Sequence, residues 1–104
     1  MKDKKIRKIA VILGSVNDLS QCYQGLAKLR ESVERGLIKT TVYIKSVHRH
    51  TEKLLALLRA LSADGKTDVI IAGAGKAAHL PGCVDAYLRN ELKNNKITVL
   101  GVAF

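Results

Sequence analysis

The chain has 104 residues, of which 47% are hydrophobic and 26% charged, and a net charge of +9. That is room for a single domain with one core, 1–104, and no apolar run approaches the roughly 20 residues of a membrane span. The positive charge favours anionic partners in general, whether phosphates, carboxylates or nucleic acid, without choosing among them; one Phe, three Tyr and no Trp supply little for a base-stacking surface, which leaves nucleic acid in the background. After the basic start, Met1 to Lys8, the apolar run Ile9 to Leu13 is too short for a secretory signal core, and a cytoplasmic location is expected. Cys22 and Cys83 belong to no Cys-x-x-Cys or Cys/His pair, so neither a metal nor a redox motif is expected, and both read as buried thiols.

Ile6 to Leu13 is almost continuously apolar, as a strand covered on both faces is. Gly14-Ser15-Val16-Asn17-Asp18 interrupts it. Leu19, Cys22, Tyr23, Leu26, Leu29 and Val33 then recur at three- and four-residue spacing, which predicts an amphipathic helix capped by Asn17 or Asp18 and ending near Gly36. Thr40 to Val47, rich in β-branched residues, reads as the second strand. Thr51 is a plausible cap for a helix carrying Leu54, Leu55, Leu57, Leu58 and Leu61, which Asp64-Gly65-Lys66 stops. Asp68 to Ala72 is the third strand, Val84 to Lys93 the third helix, and Ile97 to Phe104 the fourth strand; Pro81 suits a first helical turn. The alternation predicts an α/β fold: a three-layer, flavodoxin- or Rossmann-like sandwich with a central parallel sheet of about four strands and helices on both faces.

In such sheets ligands bind beyond the carboxyl ends of the strands, which gathers three loops on one rim. At Gly14-Ser15, free N–H groups and the Ser15 hydroxyl suit a phosphate, although a plain strand-to-helix turn explains them equally well. Asp18 either caps its helix or accepts from ribose hydroxyls. Ser46-Val47-His48-Arg49 combines a hydroxyl, an imidazole that titrates near neutral pH and a guanidinium that grips phosphate; a solvated basic turn is the alternative. The third loop, Ala72-Gly73-Ala74-Gly75-Lys76-Ala77-Ala78-His79-Leu80-Pro81-Gly82, holds three glycines and four alanines, so its backbone can approach a ligand closely. Its Gly73-x-Gly75-x-x-Ala78 spacing fits a relaxed dinucleotide fingerprint only weakly. His79 either pins the loop or touches substrate. Asp64, Asp68, Asp85 and Glu91 show no spacing for hydrolysis or metal binding.

These three loops, in this order, resemble the N5-carboxyaminoimidazole ribonucleotide mutase family, the catalytic subunit of aminoimidazole ribonucleotide (AIR) carboxylase in purine synthesis. Gly14-Ser15-Val16-Asn17-Asp18 is similar to the family's Gly-Ser-x-Ser-Asp, Ser46-Val47-His48-Arg49 to its Ser-Ala-His-Arg, and the stretch from Ala72 to Gly82 to its Ala-Gly-Ala-Gly-Gly-Ala-Ala-His-Leu-Pro-Gly. The resemblance runs from about Ile9 to Val102 and implies a reaction without metal or cofactor, in which a carboxylate moves from the exocyclic nitrogen of an aminoimidazole ribonucleotide to its ring carbon. It implies that Ser15, Asp18, Ser46 and Arg49 hold the phosphate and ribose and that His48 is the acid/base. Gly73, Ala74 and Gly75 would wall a pocket for the migrating carbon dioxide, with His79 and Leu80 on its border. It also implies a homo-oligomer, since family members assemble as octamers with shared sites.

This chain departs from the family pattern at Asn17, Val47 and Lys76, and it lacks the family's usual C-terminal segment, a further loop motif and a long helix. Lysine in place of glycine at position 76 is strained if the backbone there has positive φ. Two other readings remain: a carboxylase using free carbon dioxide, against which Arg49 in place of a lysine speaks, and a nucleotide-binding relative without turnover.

Overall fold

The computed structural model describes residues 6–15, 18, 22–45, 51–74 and 79–103, with backbone alone for Ala74, His79 and Ala103. Four strands, β1 (Arg7–Leu13), β2 (Ile38–Ile44), β3 (Val69–Ala74) and β4 (Thr98–Ala103), form one parallel sheet in the order β2-β1-β3-β4. Between them run α1 (Tyr23–Glu34), α2 (Thr51–Asp64) and α3 (His79–Ala86), which continues into a single π-helical turn, Tyr87–Glu91. The predicted parallel α/β sandwich and its strand count are therefore observed.

The interior position of β1 accounts for its composition. From Ala10 to Leu13 every residue is buried, because this strand has a neighbour on each side and a layer on each face. Ala10 and Ile12 join Ile70 and Ala72 of β3 on one face, beneath Leu54, Leu58 and Leu61 of α2 and Leu80, Val84 and Leu88 of the third helical segment. Val11 and Leu13, also buried, point to the opposite face. Connection handedness explains the division: β1→β2 steps one way across the sheet while β2→β3 and β3→β4 step the other way, so right-handed crossovers put α1 on one face and α2 and α3 on the other.

That leaves the second face thinly covered. No residue of α1 is buried, although the predicted stripe of Cys22, Tyr23, Leu26, Leu29 and Val33 falls on this segment. Tyr23 is 73% exposed. The row Val42–Val11–Ile71–Leu100 crosses all four strands on this face; its middle is covered and its outer members, Val42 and Leu100, are exposed.

Several boundaries differ from expectation for local reasons. Asp18, a predicted cap position, is itself helical, and the Cys22 N–H donates to its carbonyl; the segment Tyr23–Glu34 follows Cys22, which gives it no side-chain cap. Its end agrees: Gly36, at φ +72°, closes a Schellman motif in which the Gly36 N–H donates to the Val33 carbonyl and the Leu37 N–H to that of Ser32. The third helix starts at His79, earlier than predicted, with Pro81 in its first turn, where a missing N–H costs no hydrogen bond. Both thiols, expected to be buried, are half-exposed; Cys22 precedes a helix with no buried residue.

At the amino ends of the strands Asp68 ties the sheet together. Its Oδ2 accepts the Lys8 N–H at 2.9 Å, its N–H donates to the Lys8 carbonyl at 2.9 Å, and its carbonyl accepts the Thr98 N–H at 3.1 Å. On the same side Arg89 donates to the carbonyls of Asn94 (2.8 Å) and Ile97 (2.6 Å), fixing the entry into β4. No helix is long and apolar enough to cross a membrane among the described residues.

Candidate functional site

The carboxyl ends of β1, β2 and β3 lie side by side. Leu13, the last residue of β1, stands in register with Ile44 of β2 and Gly73 of β3. Two further hydrogen bonds extend this seam: the Lys45 N–H donates to the Leu13 carbonyl at 2.8 Å, and the Gly14 N–H to the Gly73 carbonyl at 3.1 Å. All three segments that leave the rim, after Gly14, after Lys45 and after Ala74, therefore start within neighbouring strand positions. Because β2 lies on one side of β1 and β3 on the other, this is also where the winding reverses, the usual ligand crevice of an open parallel sheet.

The described part of the first loop is a closed turn. The Asp18 N–H donates to the Ser15 carbonyl at 3.0 Å, and the Ser15 N–H donates to Asp18 Oδ2 at 3.0 Å. The Ser15 N–H is thus committed to a carboxylate and is not one of the free donors expected for a phosphate. Asp18 takes a third role beside the two foreseen: it is buried, 8% exposed, and bonds backward to shape the loop. From Asp18 the helical path continues through the Cys22 N–H to the Asp18 carbonyl (3.1 Å) and the Leu26 N–H to the Cys22 carbonyl (2.9 Å). Burial pushes the Cys22 thiol pKa up, and the Asp18 charge adds to the rise against the pull of a backbone hydrogen bond. Cys22 is a neighbour of the site that motif reading overlooked; its four-residue separation from Asp18, one helical turn, was the available signal.

Of the other site residues, Gly73 is buried in the seam and Ala74 ends β3. His79 is the first residue of α3. Leu80, expected at the pocket border, is 2% exposed and lies in the core with Val84 and Leu88. Ser46, His48, Arg49 and Gly75 fall outside the described residues, as do Asn17, Val47 and Lys76. No cluster of His, Cys, Asp or Glu suited to a metal ion occurs among the described residues.

In chemical terms the rim is suited to an anion. Helices lie antiparallel to the strands they follow, so the N-termini of α1, α2 and α3 point toward this end, each adding partial positive charge. Fold and rim together define an open parallel α/β domain of flavodoxin-like order with its ligand crevice at the carboxyl ends of β1, β2 and β3.

Comparison with known proteins narrows the class. Residues 8–100 match the AIR carboxylase family, and the chain belongs to it. Among curated relatives, the N5-carboxyaminoimidazole ribonucleotide mutase of Brucella melitensis is 37% identical over 78 residues, covering 75% of this chain and 45% of that protein. The enzyme of the same name from Aliivibrio fischeri is 35% identical over 95 residues, covering 91% of this chain and 52% of that one. The chain thus spans about half the length of the curated relatives it matches. Its fold is similar to that of the crystal structure of Treponema denticola PurE, with a TM-score of 0.69, 20% identity, and coverage of 93% of this chain and 53% of that one.

Proposed function

We propose that this domain acts as an N5-carboxyaminoimidazole ribonucleotide mutase in purine biosynthesis, the activity named for its relatives in Brucella melitensis and Aliivibrio fischeri. One observation carries the reading: the family match over residues 8–100 contains all three loop motifs, and these loops leave the sheet from adjoining strand ends.

In this reading the substrate's N–carboxylate bond breaks, carbon dioxide is released into the pocket and the electron pair stays on the exocyclic nitrogen. The ring carbon then attacks the carbon dioxide and loses its proton. His48 gives a proton to the nitrogen and takes one from the ring carbon, so the overall change is an isomerisation that needs no co-reactant. Ser15, through its side chain, and Ser46 and Arg49 hold the phosphate and ribose; the narrow wall of Gly73, Ala74 and Gly75, bordered by His79, keeps carbon dioxide from escaping. Asp18 supports the first loop and so sets where Ser15 stands. A homo-oligomer in the cytoplasm, working on a small nucleotide, completes the proposal.

The test is to incubate the protein with N5-carboxyaminoimidazole ribonucleotide and follow the ring-carboxylated isomer against the spontaneous background. Turnover by the wild type that His48→Asn abolishes is the expected result. Equal behaviour of the two proteins rejects the enzyme reading, and activity appearing only with aminoimidazole ribonucleotide and bicarbonate assigns the carboxylase reaction instead.

A further inference from the structure

We propose that a cleft at the amino ends of β3 and β4, at the far end of the sheet from the three loops, binds a phosphate monoester with an apolar body, of nucleoside monophosphate size. The cleft lies between the last turn of α2 and the segment that leads from the π-helical turn into β4, and its volume is about 290 Å³, near the lower end for small-molecule sites. From Thr67 on its wall to Gly73 at the rim the chain runs six residues, roughly 20 Å at about 3.3 Å per residue. This is therefore a different site from the crevice at the carboxyl ends.

Its walls hold donors that the fold leaves unused. Thr67 is buried, 8% exposed, and lines the cleft, yet its hydroxyl has no hydrogen-bond partner among the described residues. Buried hydroxyls are normally paired, so one left over at a cleft wall points to a ligand. Asn94, by contrast, is spent on the protein: its amide donates to Ser62 Oγ at 2.9 Å, and its Oδ1 accepts the Lys96 and Ile97 N–H groups at 2.9 and 3.1 Å. The Ser62 hydroxyl accepts that bond and donates none among the described residues, so its proton can turn toward a ligand. The rest of the lining is apolar, with Leu61 and Ile97 buried and Leu92 half-buried.

The charge of the cleft is positive. Lys93 and Lys96 line it, both exposed, and no acid does so among the described residues. Neither lysine forms an ion pair among the described residues. The acids that flank Thr67 in the chain are engaged: Asp64 accepts the Lys66 N–H at 2.8 Å, and Asp68 accepts the Lys8 N–H at 2.9 Å with Arg7 at 3.8 Å. Lys93 stands at φ +54°, a left-handed backbone that glycine would adopt without strain. α2 and the third helical segment both end here, each bringing roughly −0.5 charge, so the two lysines leave a surplus of about one positive charge. Two ammonium groups and two hydroxyls suit a dianion with three acceptor oxygens better than a lone carboxylate, and the apolar lining takes the body that carries it. The site stands apart from the catalytic reading, and its test involves no turnover.

The isotope-labelled full chain, titrated at constant ionic strength with adenosine monophosphate and separately with inorganic phosphate, reports binding through its amide NMR shifts. Amides of residues 62–67 and 92–97 should move saturably, and the nucleotide should bind at least about tenfold more tightly than phosphate, which leaves the apolar lining uncovered. Lys93→Gln/Lys96→Gln should weaken the response of these amides by about tenfold or more while the shifts at Gly14 and Gly73 stay as in the wild type. Thr67→Val keeps the side-chain shape, should leave the circular dichroism spectrum unchanged, and should weaken binding by about two- to tenfold. Arg49→Gln, in a loop at the other end of the sheet, should leave the response of residues 62–67 and 92–97 intact. No saturable shift, equal affinity for the two probes, binding unaltered by the paired glutamines or by Thr67→Val, or binding lost with Arg49→Gln overturns the proposal.

Discussion

Asp18 and Ser15 hold each other through two hydrogen bonds, backbone N–H to carbonyl in one direction and backbone N–H to carboxylate in the other, both 3.0 Å. The pair closes the turn that carries the chain from the buried end of β1 toward α1. Asp18→Ala removes the acceptor of the Ser15 N–H and should destabilise the protein by about 1–3 kcal/mol. Asp18→Asn keeps a side-chain oxygen at the same place and should recover most of that loss. Denaturant midpoints of the two variants check the claim; equal losses would mean that the charge, not the turn, matters.

Cys22 lies one helical turn from Asp18, and burial followed by the Asp18 charge raises its pKa above the ordinary thiol range. Only the thiolate is alkylated rapidly, so Cys22 should react more slowly near neutral pH than a thiol in the unfolded chain, and its rate should climb at higher pH. Asp18→Asn should shift that rise to lower pH. The folded state holds this proton longer than the unfolded one, so the associated stability is present at neutral pH and is lost as pH rises past the unfolded thiol's pKa. Mass-resolved alkylation in a Cys83→Ser background measures the profile.

The two faces of the sheet should respond unequally to truncation. Leu58 of α2 is fully buried among Ala10, Ile12 and Leu54 in the core, and Leu58→Ala should cost about 2–5 kcal/mol. Leu29 belongs to α1, which has no buried residue, and Leu29→Ala should cost less than about 1 kcal/mol. Urea titrations of dilute protein separate the two outcomes; a large loss at Leu29 would place it in a covered interface.

Arg89 fixes the approach to β4 with donors to the Asn94 and Ile97 carbonyls and an ion pair to Asp85 at 3.3 Å. Arg89→Met keeps much of the stem but strands both carbonyls and should cost about 1–3 kcal/mol. Arg89→Lys should recover only part, because a single ammonium cannot reproduce the planar fork. Amide exchange of residues 94–98 should accelerate in both variants, more strongly in the methionine one.

Much of the fold was legible because each element carries its own local signal. The unbroken apolar run before Leu13 marked an interior strand, Gly36 and Gly65 marked helix ends by the positive φ they adopt, and the leucine spacing of residues 54–61 marked a helix with a buried face. The early start of the third helix was not legible, since Pro81 and Gly82 look like a loop until the first turn of α3 takes them in. Of the candidate site, the three motifs were readable as residue strings. The reciprocal bonding of Ser15 and Asp18 was not, because a carboxylate three residues after a serine can cap forward or bond back, and backbone geometry decides between these.

The sequence by itself thus determined the order of strands and helices, the family and the loops that carry the site motifs, since all of these follow from short-range periodicity and motif spacing. Only the tertiary structure decided that β1 lies between β2 and β3, that Gly14 is stitched to Gly73, and that the apolar stripe of α1 meets too little surface to be buried. Periodicity reports that one side of an element is apolar. What covers that side, or leaves it open as at Leu100 and Val102, depends on crossover handedness and on residues far away in the chain.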